Sequence, residues 1–337
     1  MNARASTHSI DKAFACAGSA DVPGLAVALI ENGTLVAEQA FGNARAGEAL
    51  HTEHLFQAAS LAKPLTACAM LRLVEQRKVA LDAPVNSLLR NWKVESDAHP
   101  VDRITLRRVL CHCAGLSTPD YPGLPPSLPV PTIRASLQGV TGKPLTVIAP
   151  PGAGFAYSGG GYALLQLLIE ELTGEGFAAH MARTLFAPLA MYRSTFDPES
   201  PLADFAATGH GSDGAALPFY RFDAAAAAGL ICTAGDLARF LMGLMDGSAI
   251  DGAARKTLLA PAVATGRADG LWPHYALGFE VDTLADGRIA IGHHGINRGF
   301  RALMAADIDA KRGVVALANG DGAMPALENI YALWCVK

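Results

Sequence analysis

Long apolar runs are missing. No stretch of about eighteen apolar residues occurs in this 337-residue chain, so no transmembrane helix is expected. The first twenty residues, MNARASTHSIDKAFACAGSA, lack even the short apolar core of a secretory signal. Charge is scarce: 17% of residues are Asp, Glu, Lys or Arg, and the net charge is −4. There is no Lys/Arg cluster and no basic amphipathic stretch, so neither nucleic acid nor a membrane surface is an expected partner. Six cysteines lie scattered at 16, 68, 111, 113, 232 and 335. Without a leader they read as reduced thiols, which places the chain in the cytoplasm, or in the periplasm if a leader has been removed. Cys111-His112-Cys113 has no second ligand pair at zinc spacing, so no metal and no other cofactor is expected.

What is present is apolar: 51% of residues, enough for a sizeable core. GLAVALIENGTLVAEQAFG (24–42) is two apolar runs around Asn32-Gly33, a pair that tolerates the positive φ angles of a tight hairpin. LAKPLTACAMLRLVEQRKV (61–79) carries Leu65, Ala69 and Leu73 at helical spacing. ITLRRVLCHCAGL (104–116), GYALLQLLIEELTG (161–174) and GDLARFLMGLMDG (235–247) read as further helices, the second stopping at Gly174. Towards the C-terminus YALGFEVD, GRIAIGHHG, FRALMAADID and GVVALANGD read as strands, before a terminal helix PALENIYALWCVK. Strands at both ends with helices between imply an α+β fold. One antiparallel sheet is built from both termini, within a single catalytic domain over 1–337. Residues of about 1–80 and 265–337 form its α/β part, and 81–264 a mainly helical insertion.

Three short segments compete for chemistry. Ala156-Tyr157-Ser158-Gly159-Gly160 looks like a nucleophile elbow, but APPGAGFA before it cannot be the central strand an elbow needs. SLQGVTGKPL (136–145) departs from a phosphate loop at Leu137 and Pro144. Ser60-Leu61-Ala62-Lys63 puts a hydroxyl and an amine one turn apart on one helix face, near free N–H groups. Such a serine has a proton acceptor beside it and a donor for an oxyanion. Pro64 is tolerated there if the helix starts near Ser60. The motif alone equally fits an ordinary helix start with a solvated lysine. Ser9-Ile10-Asp11-Lys12 matches it too and reads as a solvated N-terminal face.

Taken in order, Ser60-x-x-Lys63, Tyr157-Ser158-Gly159 and His293-His294-Gly295 resemble the three-part signature of the serine penicillin-recognising superfamily. The branch is that of class C β-lactamases, DD-peptidases and β-lactamase-fold esterases. The resemblance runs from about residue 20 to residue 320. It implies Ser60 as the acylated nucleophile, Lys63 as its partner, and Tyr157 as general base and proton shuttle. It implies an oxyanion hole from the backbone N–H groups of Ser60 and Ile296. His293 would face the cleft, while His294, its strand neighbour, would turn towards packing or solvent. Cationic Lys63 and His293 are expected to lower the Tyr157 pKa, against the alternative that Tyr157 is a structural hydroxyl.

Departures from the pattern bear on substrate. Gly159 replaces an asparagine whose amide holds the substrate's acylamide. His293 replaces a lysine that meets a carboxylate. Gly295 and Arg298 complete the candidate substrate-binding set, although a solvated turn residue is the simpler reading of Arg298. A serine hydrolase of small esters or amides is therefore expected, with a small-molecule substrate as partner. The alternatives are lactamase, acyl transfer or D-amino-acid peptidase activity, and a penicillin-binding-like protein of weak catalysis.

Overall fold

The computed structural model describes residues 2–117, 121–267 and 272–336. The strands, in chain order, are β1 (Gly24–Glu31), β2 (Thr34–Arg45), β3 (Glu48–Ala49), β4 (Phe56–Ala59), β5 (Ser194–Thr195) and β6 (Leu230–Cys232). There follow β7 (Val263–Ala264), β8 (His274–Tyr275), β9 (Glu280–Thr283), β10 (Ile289–Asn297), β11 (Phe300–Asp307) and β12 (Arg312–Ala318). The helices begin with α1 (Asn2–Gly18), α2 (Ala62–Glu75), α3 (Val85–Leu88), α4 (Leu106–Leu110), α5 (Ile133–Leu137) and α6 (Gly159–Thr173). Then come α7 (Phe177–Met181), α8 (Ala225–Ala228), α9 (Ala234–Asp246), α10 (Gly252–Leu259) and α11 (Met324–Tyr331).

One sheet runs β3-β2-β1-β12-β11-β10-β9-β8-β7, and every neighbouring pair in it is antiparallel. It is assembled from both ends of the chain: Val27 of β1 lies opposite Ala316 of β12. The hairpin turn between β1 and β2 has Asn32 at φ 54° and Gly33 at φ 73°, both in the left-handed region that Asn-Gly accepts. β1 is buried up to Ile30 because both faces are covered. Its alternating side chains feed two cores. Leu25, Val27 and Leu29 face α1 and α11, while Ala26, Ala28 and Ile30 face the α2, α6 and α9 side.

Several elements differ from expectation. The helix expected over 104–116 is only Leu106–Leu110, because His112 takes φ 58° and Gly115 φ 67° and the chain turns away. The strand expected from YALGFEVD is broken into β8 and β9, with Gly278 at φ 87° between them. The middle of the chain is not all helical: β5 and β6 join β4 in a second, three-stranded sheet. The N-terminal face around Ser9 and Lys12 lies inside α1, whose Ala13 and Ala17 are buried against the sheet. No helix among the described residues is long and apolar enough to cross a membrane.

Candidate active site

Strand β4 runs into α2 through a sharp turn. Ala59, the residue before Ser60, has φ 53°, a left-handed conformation that a non-glycine residue holds only when its surroundings compel it. The strand–strained turn–helix geometry sought around Ser158 is therefore found at Ser60. Leu61 caps α2 in helical conformation, and Pro64 falls in its first turn.

Lys63 is 2% exposed. Its Nζ donates to Ser60 Oγ at 2.9 Å and to the Ala227 carbonyl of α8 at 2.8 Å. The Tyr157 hydroxyl donates to the same Ser60 Oγ at 3.0 Å, and Lys63 Nζ lies 4.9 Å from the centre of the Tyr157 ring. Ser60 Oγ is thus the meeting point of an amine and a phenol carried by separate elements. Ser158, beside Tyr157, has another task. Its Oγ accepts from Gly161 N–H at 3.1 Å as the N-cap of α6 and donates to the Ser117 carbonyl at 2.6 Å.

Beneath Tyr157 sits His112, its ring centre 4.3 Å from the tyrosine's. Its Nδ1 accepts the Ser158 N–H at 3.1 Å. The left-handed backbone that ends α4 at His112 is what turns this ring inward.

Strand β10 forms the facing wall. Its pairing with β9 ends at Gly292↔Glu280, while its pairing with β11 continues to Asn297↔Phe300. Gly295 approaches the nucleophile segment closely: a Cβ there would lie 2.4 Å from the Ala58 carbonyl oxygen. Gly295 therefore works by having no side chain, letting β10 lie against β4, and not as a lining residue of the cleft. Ser60, Lys63, Tyr157, Gly159, His293 and Ile296 line a common cleft of about 300 Å³. Arg298 does not join them. It is exposed, with its guanidinium 4.5 Å above the Tyr220 ring.

His293 is 2% exposed, with both ring nitrogens engaged. Nδ1 is 2.6 Å from the His294 carbonyl, which can only accept, so Nδ1 carries the proton and Nε2 accepts from the Tyr275 hydroxyl at 3.0 Å. His294 turns its ring to Glu280, with Nδ1 2.6 Å from Oε2, and edge-on to Trp272.

Burial governs the electrostatics. It lowers Lys63 from 10.5 to about 7, with the nearby Glu280 carboxylate opposing the shift. It also lowers His293 to about 4. Burial pushes the Tyr157 phenol up, and the hydrogen bond to Ser60 only partly offsets this. Tyr157 is thus not made acidic by cationic neighbours. The desolvation that would have to be overcome also discharges Lys63 and His293. At neutral pH the amine is close to half free base and the phenol keeps its proton.

Sequence reasoning passed over Glu280, Asn297, Tyr121 and Arg267, all of which border the cleft. Asn297 is held by Gln57 Oε1 at 3.1 Å and the Ala228 carbonyl at 3.2 Å. It is one residue from Arg298 and on the opposite side of the strand, so alternation along β10 could have pointed to it.

Known proteins resemble this chain along most of its length. Penicillin-binding protein 4 of Amycolatopsis lactamdurans is 32% identical over 244 residues, 68% of this chain and 62% of that one. Esterase EstB of Burkholderia gladioli is 30% identical over 166 residues, 45% of this chain and 41% of that one. The chain thus spans less than two thirds of the length of either relative. Among solved structures, the D-amino acid amidase from Ochrobactrum anthropi SV3 shares the fold with a TM-score of 0.82 and 20% identity, over 97% of this chain and 98% of that one. The octameric penicillin-binding protein homologue from Pyrococcus abyssi does so with a TM-score of 0.80 and 24% identity, over 99% and 77%. The model of the family described as Beta-lactamase matches residues 10–336, and the chain belongs to that family.

Proposed function

We propose that the protein is a serine hydrolase that cleaves small carboxylic esters or amides through an acyl-Ser60 intermediate. The observation that carries this reading is the convergence of Lys63 Nζ and Tyr157 OH on Ser60 Oγ, at 2.9 and 3.0 Å. Ser60 Oγ attacks the substrate carbonyl carbon and its proton passes to Lys63 Nζ. The oxyanion forms against the backbone N–H groups of Ser60 and Ile296, where one donor is worth about 10²–10³ in rate. As the tetrahedral adduct collapses, Tyr157 donates its proton to the leaving group and recovers one from Lys63. Water then enters by the reverse route, with Lys63 or Tyr157 taking its proton, and frees the acid. The division of labour gives the base role to Lys63, whose pKa is near the working pH, and the acid role to Tyr157, which holds its proton.

Three features favour uncharged acyl groups over lactams. Gly159 offers no side-chain amide to an acylamide, and His293 is neutral with both nitrogens in use. Arg298 is stacked on Tyr220, outside the cleft. Six thiols without disulfides support a reducing compartment, the cytoplasm.

The test is turnover of a p-nitrophenyl ester series and labelling by a fluorescent penicillin, each with wild type and Ser60→Ala. Ester turnover lost on Ser60→Ala supports the reading. Stoichiometric penicillin labelling without ester turnover favours a penicillin-binding protein of negligible catalysis. Turnover that survives Ser60→Ala and dies in Ser158→Ala refutes the assignment of the nucleophile.

A further inference from the structure

Glu280 is 2% exposed and sits where the ladder between β9 and β10 stops. Gly292↔Glu280 is the last backbone pair. Beyond it no strand among the described residues pairs with that edge of β10, and the carboxylate of Glu280 meets it instead. Oε2 accepts the His294 backbone N–H at 3.0 Å and faces His294 Nδ1 at 2.6 Å. Oε1 accepts from Arg267 at 2.8 Å. N–H groups alternate between the two edges of a strand. The next one on the edge secured by Glu280 is therefore that of Ile296, which borders the cleft.

We propose that Glu280 is a positioning residue of the reaction, holding the edge of β10 past its pairing with β9 through His294 so that the Ile296 N–H is set for the oxyanion formed at Ser60. The proposal rests on the reading of Ser60 as nucleophile. A buried carboxylate is costly unless paired. Here it is met by a backbone donor, a histidine and a guanidinium, an outlay that a merely packed strand end does not require.

The same carboxylate acts on the charges of the cleft. Facing it are Lys63 from α2, His112 after α4, Tyr157 before α6, Tyr275 of β8, His293 and His294 of β10, and Arg267 after β7. Burial alone would raise the Glu280 pKa. The hydrogen bond from His294 and the charge of Arg267 outweigh it and hold the group ionised. Its field opposes the discharge of Lys63 and disfavours a Tyr157 phenolate. Removing the Glu280 charge should let Lys63 deprotonate at lower pH.

The experiment measures kcat and KM for p-nitrophenyl butyrate from pH 5 to 9 in wild type, Glu280→Gln, Arg267→Gln and Ser60→Ala. Glu280→Gln keeps one acceptor but cannot serve all three donors. It is expected to lose roughly tenfold or more in kcat with KM little changed, a fraction of the loss of a whole oxyanion donor. Its acidic limb of activity is expected to move to lower pH. Arg267→Gln, at a residue whose side chain is 41% exposed and so tolerant of substitution, removes one of the donors that fix the carboxylate and is expected to lower kcat by less than Glu280→Gln does, with KM little changed. A kcat loss with a downward shift in Glu280→Gln, and a smaller kcat loss in Arg267→Gln, support the proposal. An unchanged kcat in Glu280→Gln, or a loss without a downward shift, overturns it, as does an unchanged kcat in Arg267→Gln. If Glu280→Gln does not fold, the kcat of Arg267→Gln decides. Inactive Ser60→Ala beside a wild-type-like Glu280→Gln defeats this proposal alone, whereas active Ser60→Ala defeats the nucleophile assignment and this proposal with it.

Discussion

Replacing Lys63 by methionine should stabilise the protein at pH 6 much more than at pH 9. Methionine has nearly the length of lysine and no charge, and the site is almost fully buried. Burial lowers Lys63 from 10.5 to about 7. At about 1.4 kcal/mol per unit, keeping the ammonium charged inside the fold costs about 5 kcal/mol. The penalty is fully present below pH 7, where both folded and unfolded chains carry the proton. Between pH 7 and 10.5 the unfolded chain binds one proton more than the folded one, so wild type gains stability as the pH rises. By pH 9 about two units of that range have been crossed, and about 3 kcal/mol of the advantage of Lys63→Met should be gone. The hydrogen bonds from Lys63 to Ser60 and Ala227 are lost in the variant at every pH and drop out of the comparison. The assay is equilibrium urea unfolding of both proteins at pH 6, 7, 8 and 9. A stability difference constant to within 1 kcal/mol across that range would refute the assignment of a discharged Lys63, and with it the assignment of the base.

Other outcomes follow from the same geometry. Ser158→Ala removes the N-cap of α6 and should cost about 1 kcal/mol in unfolding free energy, with esterase turnover retained. Gly295→Ala places a methyl group 2.4 Å from the Ala58 oxygen, so β10 must move off β4. Its kcat should fall by more than tenfold, about one misplaced oxyanion donor, as steady-state kinetics would reveal. His293 titrates at about 4, so the pH profile of kcat/KM should show a single rise near 7 and no step at an ordinary histidine pKa. Arg298→Ala should leave KM unchanged for neutral and carboxylate-bearing esters alike, because the guanidinium is stacked on Tyr220.

The parts of the site legible in the sequence are those whose geometry is local. Asn32-Gly33 specifies its hairpin by φ preference alone. Ser60 and Lys63 are brought together by helical rise, and Gly174 ends α6 in the left-handed conformation expected of it. Tyr157 was found through its order relative to the other motifs, not through its surroundings. What could not be read is what the surroundings impose. Glu280 lies 217 positions from Lys63 and meets it only through the sheet, and no local pattern marks a glutamate that ends a ladder. The Tyr157 pKa was expected to fall because opposite charges were counted without the burial that removes them. The helix expected over 104–116 has apolar residues at suitable spacing, but the packing of His112 under Tyr157 demands a backbone turn that the spacing does not reveal.

The pairing of β1 with β12 has a consequence in time. Synthesis delivers β1, β2 and the Ser60–Lys63 turn early. The strand that completes their sheet, and the wall that faces Ser60, arrive only with residues 289–318. Until then β1 has no partner on one side, and about 240 residues, from β3 to β9 with the helices between them, must wait on a contact between the two ends of the chain. Folding is thus tied to the arrival of residues 289–318, and until then a nascent chain on the ribosome carries a serine and its lysine with nothing opposite them. A chain that stops short of β10 lacks the wall that faces Ser60 and leaves an apolar strand edge exposed, which is a template for aggregation.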